Sequence, residues 1–131
     1  MSLCELTAAH LRFRDEVRDF AQREIAPRAA ERDAAEDFPL DLLRTMGEKG
    51  WLGIPFPEEY GGMGRDCRSY ILALEEIAQV CPSTAIAIAA HCSLSCYRIY
   101  AHGSAEQKGR YLPPLLRGEK IGSFGLTQPH A

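Results

Sequence analysis

Residues 81–97 read CPSTAIAIAAHCSLSCY, a run without a charged side chain. A membrane-spanning helix needs about 20 predominantly apolar residues. This run is shorter and holds Pro82, three serines, a threonine and a histidine. It is predicted to be a core helix, capped by Ser83, running towards His102 and stopped at Gly103. With no charge over its first turns, it should be surrounded by protein on all sides.

Working upstream, Asp66 can cap a preceding helix with Ile71, Leu74, Ile77 and Ala78 inward and Glu75 and Glu76 exposed. Before it, Gly53 to Gly64 is crowded with Pro55, Pro57, Gly61 and Gly62, which predicts a loop. Trp51 follows Gly50 and reads as a core anchor sealing a helix that holds Leu42, Leu43 and Met46, with Pro39 in its first turn. Thr7 is a suitable cap for the first helix, whose apolar stripe is Leu11, Phe13, Val17, Phe20, Ala21 and Ile25. Pro27 should end or kink it, with a short helical piece reaching about Ala35.

Downstream, Ser104 and Gln107 form a capping-box pattern opening a short helix that Pro113 and Pro114 are expected to interrupt. Beyond Gly118 the pattern changes. Ile121, Ser123 and Gly125 alternate with Gly122, Phe124 and Leu126, which reads as a strand. The expected fold class is all-α: a bundle of four to six helices, then one strand with no partner to pair with.

Bulk properties narrow the function. The chain has 131 residues, 46% hydrophobic and 25% charged, with a formal net charge of -3. No basic stripe argues for nucleic acid. Five cysteines at irregular spacing and no signal-like N-terminus favour a reducing, cytoplasmic setting. Cys81, His91, Cys92 and Cys96 lack the paired spacing of a zinc site, and core packing is the favoured reading, so no metal is expected. The pairs Glu58–Glu59 and Glu75–Glu76 read as solvated. The glycines of residues 61–64 lack the Lys-Ser/Thr of a phosphate loop.

Five stretches together resemble the acyl-CoA dehydrogenase family: LRFRDEVRDFAQREIAP (11–27), WLGIPFPEEYGGMG (51–64), LEEIA (74–78), GSAEQKGRYLPPLLRGEK (103–120) and GSFGLTQPHA (122–131). The resemblance implies an N-terminal helical domain over residues 1–119 and the start of a truncated middle β domain over 120–131. It implies an FAD enzyme that oxidises the Cα–Cβ bond of an acyl-CoA thioester to a trans-2-enoyl-CoA. A carboxylate base removes the α-proton, and the β-hydrogen leaves as hydride to flavin N5. The base is expected in a C-terminal part that this sequence does not contain, so no catalytic residue is assigned.

By the same resemblance, Phe124, Leu126 and Thr127 match the family's flavin-contacting strand. Gln128 stands where the family commonly has glutamate, keeping the size and losing the charge. The stretch Ala87 to Tyr97 matches a helix that helps form the acyl pocket, with Leu94 and Tyr97 as candidate lining residues, bundle core being the alternative for each. An electron-transfer flavoprotein or similar acceptor and a homo-oligomer, tetrameric in full-length form, are the implied partners. These 131 residues alone are expected to be inactive. The rival reading is a stand-alone helical module that binds a partner or an acyl group without redox chemistry.

Overall fold

Thr7 sets the start of the first helix, α1 (Ala8–Phe20), through a reciprocal cap. Its hydroxyl accepts the His10 N–H at 3.3 Å, and the Thr7 N–H donates to His10 Nδ1 at 3.0 Å. This computed structural model describes residues 5–125. Phe13, Val17, Phe20, Ala21 and Ile25 are buried as the stripe requires, whereas Leu11 is exposed. Past Phe20 the coil widens into a π-helical turn, Ala21–Ile25, and then tightens through Ala26–Arg28 around Pro27. The short helix α2 (Ala29–Ala34) follows.

Helix α3 (Leu40–Glu48) buries Leu42, Leu43 and Met46 and stops at Gly50. Gly50 adopts the left-handed φ of 79° that a residue with a Cβ takes only at a cost. A tight turn at Trp51–Gly53 then drives Trp51 into the core. Its ring meets Phe20 and Phe13 edge-on, at centroid distances of 5.1 and 6.1 Å. The passage to Gly64 is a loop, closed on itself by Met63 N–H to Gly53 O and Arg65 N–H to Ile54 O, both 2.9 Å.

Asp66 caps α4 (Cys67–Ala78), accepting from Ser69 N–H at 3.0 Å. The buried face is wider than expected and shifted: Leu74 and Ala78 pack partly buried against the core as read, but Ile71 does not. Tyr70, Leu72, Ala73 and Ile77 point inward and Ile71 is half exposed. Glu76 is buried as well, because Arg18 of α1 reaches across to pair with it. Helix α4 packs between α1 and α5 (Pro82–Ala89).

The chain is helical from Pro82 to His102: α5, a π-helical stretch Ala90–Cys96, and α6 (Tyr97–His102). Cys81, not Ser83, holds the cap position, because the fixed φ of Pro82 suits the first helical residue. The expectation that protein surrounds this helix is corrected too. Ile86, Leu94 and Tyr97 are 68%, 44% and 53% exposed.

Helix α7 (Ala105–Leu116) opens on the Ser104–Gln107 box and continues through both prolines. The prolines deprive the carbonyls of Gly109 and Arg110 of their helical donors, but both residues are exposed and water can serve instead. Leu112, Leu115 and Leu116 anchor that helix in the core. Residues 121–125 form no strand, which corrects the alternation reading. Among the described residues no extended neighbour offers them a ladder.

Candidate functional site

The half-exposed Tyr97 borders a groove of about 310 Å³ walled by Pro55 and Phe56 of the loop, Tyr70 of α4, and Ser93, Tyr97 and Tyr100 of the long helix. Phe56 and Tyr97 both lean on Tyr100, at centroid distances of 5.8 and 6.5 Å. Leu94 is not part of this lining. It stands on the neighbouring exposed face of the π-helical stretch.

Among the described residues no carboxylate, histidine, lysine or arginine lines the groove, whose remaining lining residues are Cys67 and Cys92. Burial pushes the Tyr70 phenol up to about 12, and its hydroxyl is engaged with Ser93 Oγ at 3.0 Å. Burial likewise pushes the Cys92 thiol up, and its S–H donates to Leu52 O at 3.1 Å. Chemically the groove is a neutral wall of aromatic and small polar side chains, suited to an apolar chain and unsuited to taking a proton.

A second constellation controls where the chain leaves the bundle. His91 is wholly buried, yet both ring nitrogens have backbone partners. The Gly122 N–H lies 3.0 Å from Nδ1, and the Leu115 carbonyl lies 3.1 Å from Nε2. An amide can only donate and a carbonyl can only accept, so Nδ1 is the bare nitrogen and Nε2 carries the proton. Burial lowers the His91 pKa below the ordinary histidine value, against the hydrogen bond that Nε2 donates to the Leu115 carbonyl.

Gly122 comes so close to the helix that a Cβ there would collide with the Ser95 hydroxyl and lie 2.8 Å from Ser95 Cβ. One turn further along, the Arg98 guanidinium lies 5.7 Å from the centre of the Phe124 ring. The exit segment therefore runs along the helix from Ser95 to Arg98, with Phe124 partly exposed at its end. Leu126 and Thr127 lie outside the described residues.

The sequence pointed to Tyr97 and Phe124 as members of these two sites, offered Leu94, which lies beside the groove, and missed Phe56, Tyr70, Ser93 and His91. For His91 a signal existed: a histidine inside an uncharged run must find buried partners. Cys96 Sγ is 3.4 Å from His91 Nε2, but the Nε2 proton points to Leu115, so the pair offers no metal a free nitrogen. No three His, Cys, Asp or Glu side chains converge among the described residues, and no helix there is long and apolar enough to cross a membrane.

Residues 7–119 match the family model for the acyl-CoA dehydrogenase N-terminal domain. The short-chain specific acyl-CoA dehydrogenase of Clostridium acetobutylicum is 51% identical over 118 residues, covering 90% of this chain and 31% of that protein. A chain in the structure of the electron transferring flavoprotein of Acidaminococcus fermentans, a study of flavin-based electron bifurcation, superimposes with a TM-score of 0.93 and 45% identity. All of this chain is covered there, and 34% of the other. Acyl-CoA dehydrogenase of Bacillus anthracis, solved with FAD, superimposes with a TM-score of 0.90 at 33% identity, over 100% of this chain and 22% of that one. The chain thus spans about a third of the length of the curated relatives it matches. It belongs to the acyl-CoA dehydrogenase family, within which it corresponds to the N-terminal helical domain.

Proposed function

We propose that this chain is the N-terminal part of an FAD-dependent acyl-CoA dehydrogenase, with residues 1–119 as its helical domain and residues 120–131 opening the middle β domain. The observation that carries the reading is the neutral, aromatic-walled groove beside an uncharged, exposed helix face. An isolated bundle gains nothing by exposing Ile86, Leu94 and Tyr97, whereas an acyl chain and adjoining domains would cover them. Family relatives bearing the name acyl-CoA dehydrogenase support the same substrate class.

The reaction is oxidation of the Cα–Cβ bond of an acyl-CoA thioester to a trans-2-enoyl-CoA. The α-proton goes to a carboxylate base outside this chain, since the groove has none to offer. FAD supplies the acceptor for the β-hydrogen when it is bound. The exit segment fits such a group: among the described residues the backbone of Ser123–Gly125 makes no hydrogen bond, and the Phe124 ring is open. Phe124, Leu126 and Thr127 would hold the cofactor, with the Thr127 hydroxyl donating to it. Leu94 and Tyr97 would wall the acyl site and keep water from it.

An electron-transfer flavoprotein is the proposed acceptor and a homotetramer the proposed assembly. The 131 residues alone would hold little FAD and turn over nothing. The test is anaerobic addition of butyryl-CoA to the full-length flavin-loaded protein. The expected result is bleaching of the flavin absorbance with stoichiometric crotonyl-CoA. Flavin that stays oxidised with every acyl-CoA tried, from short to long, would contradict the reading.

A further inference from the structure

His91 ties two distant parts of the chain at one buried point, the end of α7 through Leu115 and the exit segment through Gly122. Nothing else among the described residues hydrogen-bonds the backbone of Ile121–Gly125 to the bundle. Before Gly122 the Ile121 side chain packs against the core; beyond it, the close approach of Gly122 to Ser95 and the Arg98–Phe124 stacking hold the segment beside the helix. Past Ile121 the one directional bond, two residues before Phe124, therefore fixes the heading of the backbone over Ser123–Gly125.

From this arrangement we propose that His91 is a positioning residue: its bare Nδ1 clamps the Gly122 amide and so sets where Phe124 stands to meet the flavin. The proposal rests on the function proposed above for that segment. It asks two things of the side chain, an acceptor towards Gly122 and a donor towards Leu115, and of the neutral side chains of this size only imidazole reaches both in these directions. Two variants separate the halves. His91→Asn places an amide oxygen near the former Nδ1 position and keeps the acceptor. His91→Gln directs its amide N–H towards Leu115 and gives up the acceptor.

The wild-type full-length protein, labelled with nitrogen-15, should show a scalar coupling between the Gly122 amide nitrogen and His91 Nδ1. In His91→Gln the Gly122 amide should exchange with solvent about tenfold faster and FAD should bind about tenfold more weakly. His91→Asn should restore both to within about twofold, and the amides of α1 should keep their protection in both variants. Absence of the coupling overturns the proposal even if neither variant folds. It is also overturned if Gly122 exchange is unchanged in His91→Gln, or if exchange rises while FAD affinity does not move. A wild-type protein that binds no FAD would instead sink the function reading, and the coupling and exchange measurements would still decide whether the clamp exists.

Discussion

Arg18 and Glu76 meet in a two-pronged pair, Nε to Oε2 and Nη2 to Oε1, both at 2.8 Å, across the seam between α1 and α4. The hydrogen bond and charge of Glu76 raise the already high pKa of Arg18, and the carboxylate itself is buried. Removing one partner of such a pair leaves the other's charge or polar group stranded. Arg18→Gln is therefore expected to lower the thermal unfolding midpoint clearly, while Glu75→Gln on the exposed face next door leaves it nearly unchanged. Equal small effects in a calorimetric scan would contradict a structural role for the pair.

Asp66 should dominate the response of α4 to acid. Its carboxylate accepts from Ser69 N–H and Ser69 Oγ–H at 3.0 Å and from His10 Nε2–H at 2.9 Å. These contacts, the Ser69 amide first, hold its pKa below the usual carboxylate value against the effect of burial. A depressed folded-state pKa contributes stability that is present above the unfolded value and lost as pH falls through the folded one. Asp66→Asn keeps a capping oxygen and loses the charge. The stability gap between wild type and Asp66→Asn should therefore shrink from about pH 4 downwards, and Asp66→Ala should cost about 1 kcal/mol at neutral pH. A gap that does not depend on pH in urea titrations would contradict the assignment.

His91 gives a second pH signature, in a window nearer neutrality. Its folded-state pKa lies below the ordinary value of 6.5 because it is buried. The unfolded chain then binds the extra proton first, so stability is full above about pH 6.5 and declines below it until the folded-state pKa is passed. The slope approaches about 1.4 kcal/mol per pH unit for one proton. The groups facing the ring are the Leu115 carbonyl, the Gly122 amide and the Cys96 thiol, and burial pushes that thiol up to about 12, so it stays neutral here. His91→Asn should flatten the profile between pH 7 and about pH 5. Parallel denaturation profiles for the two proteins would contradict it.

Much of this molecule is legible locally. The caps at Thr7, Asp66 and Ser104 are single side chains answering amides three residues on, and each works as read. Trp51 is where an aromatic just past a left-handed glycine should be, inside. What escapes is whatever depends on a distant partner. Glu75 and Glu76 look equivalent until Arg18, 58 residues away, takes one of them. The α4 face is rotated for the same reason, with Tyr70 in and Ile71 out.

The two prolines of α7 are tolerated because their orphaned carbonyls face water, an exposure no local pattern reports. The π-helical stretch at Ala90–Cys96 has no sequence signature, yet it sets the directions of His91, Leu94 and Cys96. Of the residues that the structure brings to the groove and the exit segment, family resemblance pointed to Tyr97 and Phe124, while Leu94 stands beside the groove. The His91–Gly122 bond joins residues 31 apart, a separation no local pattern spans.

The claim that the exposed face of the long helix walls an acyl site is tested most directly by changing its width. Leu94 is 44% exposed, so a larger side chain there has room to fold without disturbing the core. Each methylene excluded from an apolar site forfeits about 0.8 kcal/mol of binding. The measurement is kcat/KM against acyl-CoA chain length for the full-length wild type and Leu94→Trp, with circular dichroism confirming equal folding. The expected result is a profile shifted towards shorter acyl groups by about one or two carbons, with a loss of about fourfold for each methylene excluded. A folded Leu94→Trp protein with an unchanged chain-length profile would contradict the account.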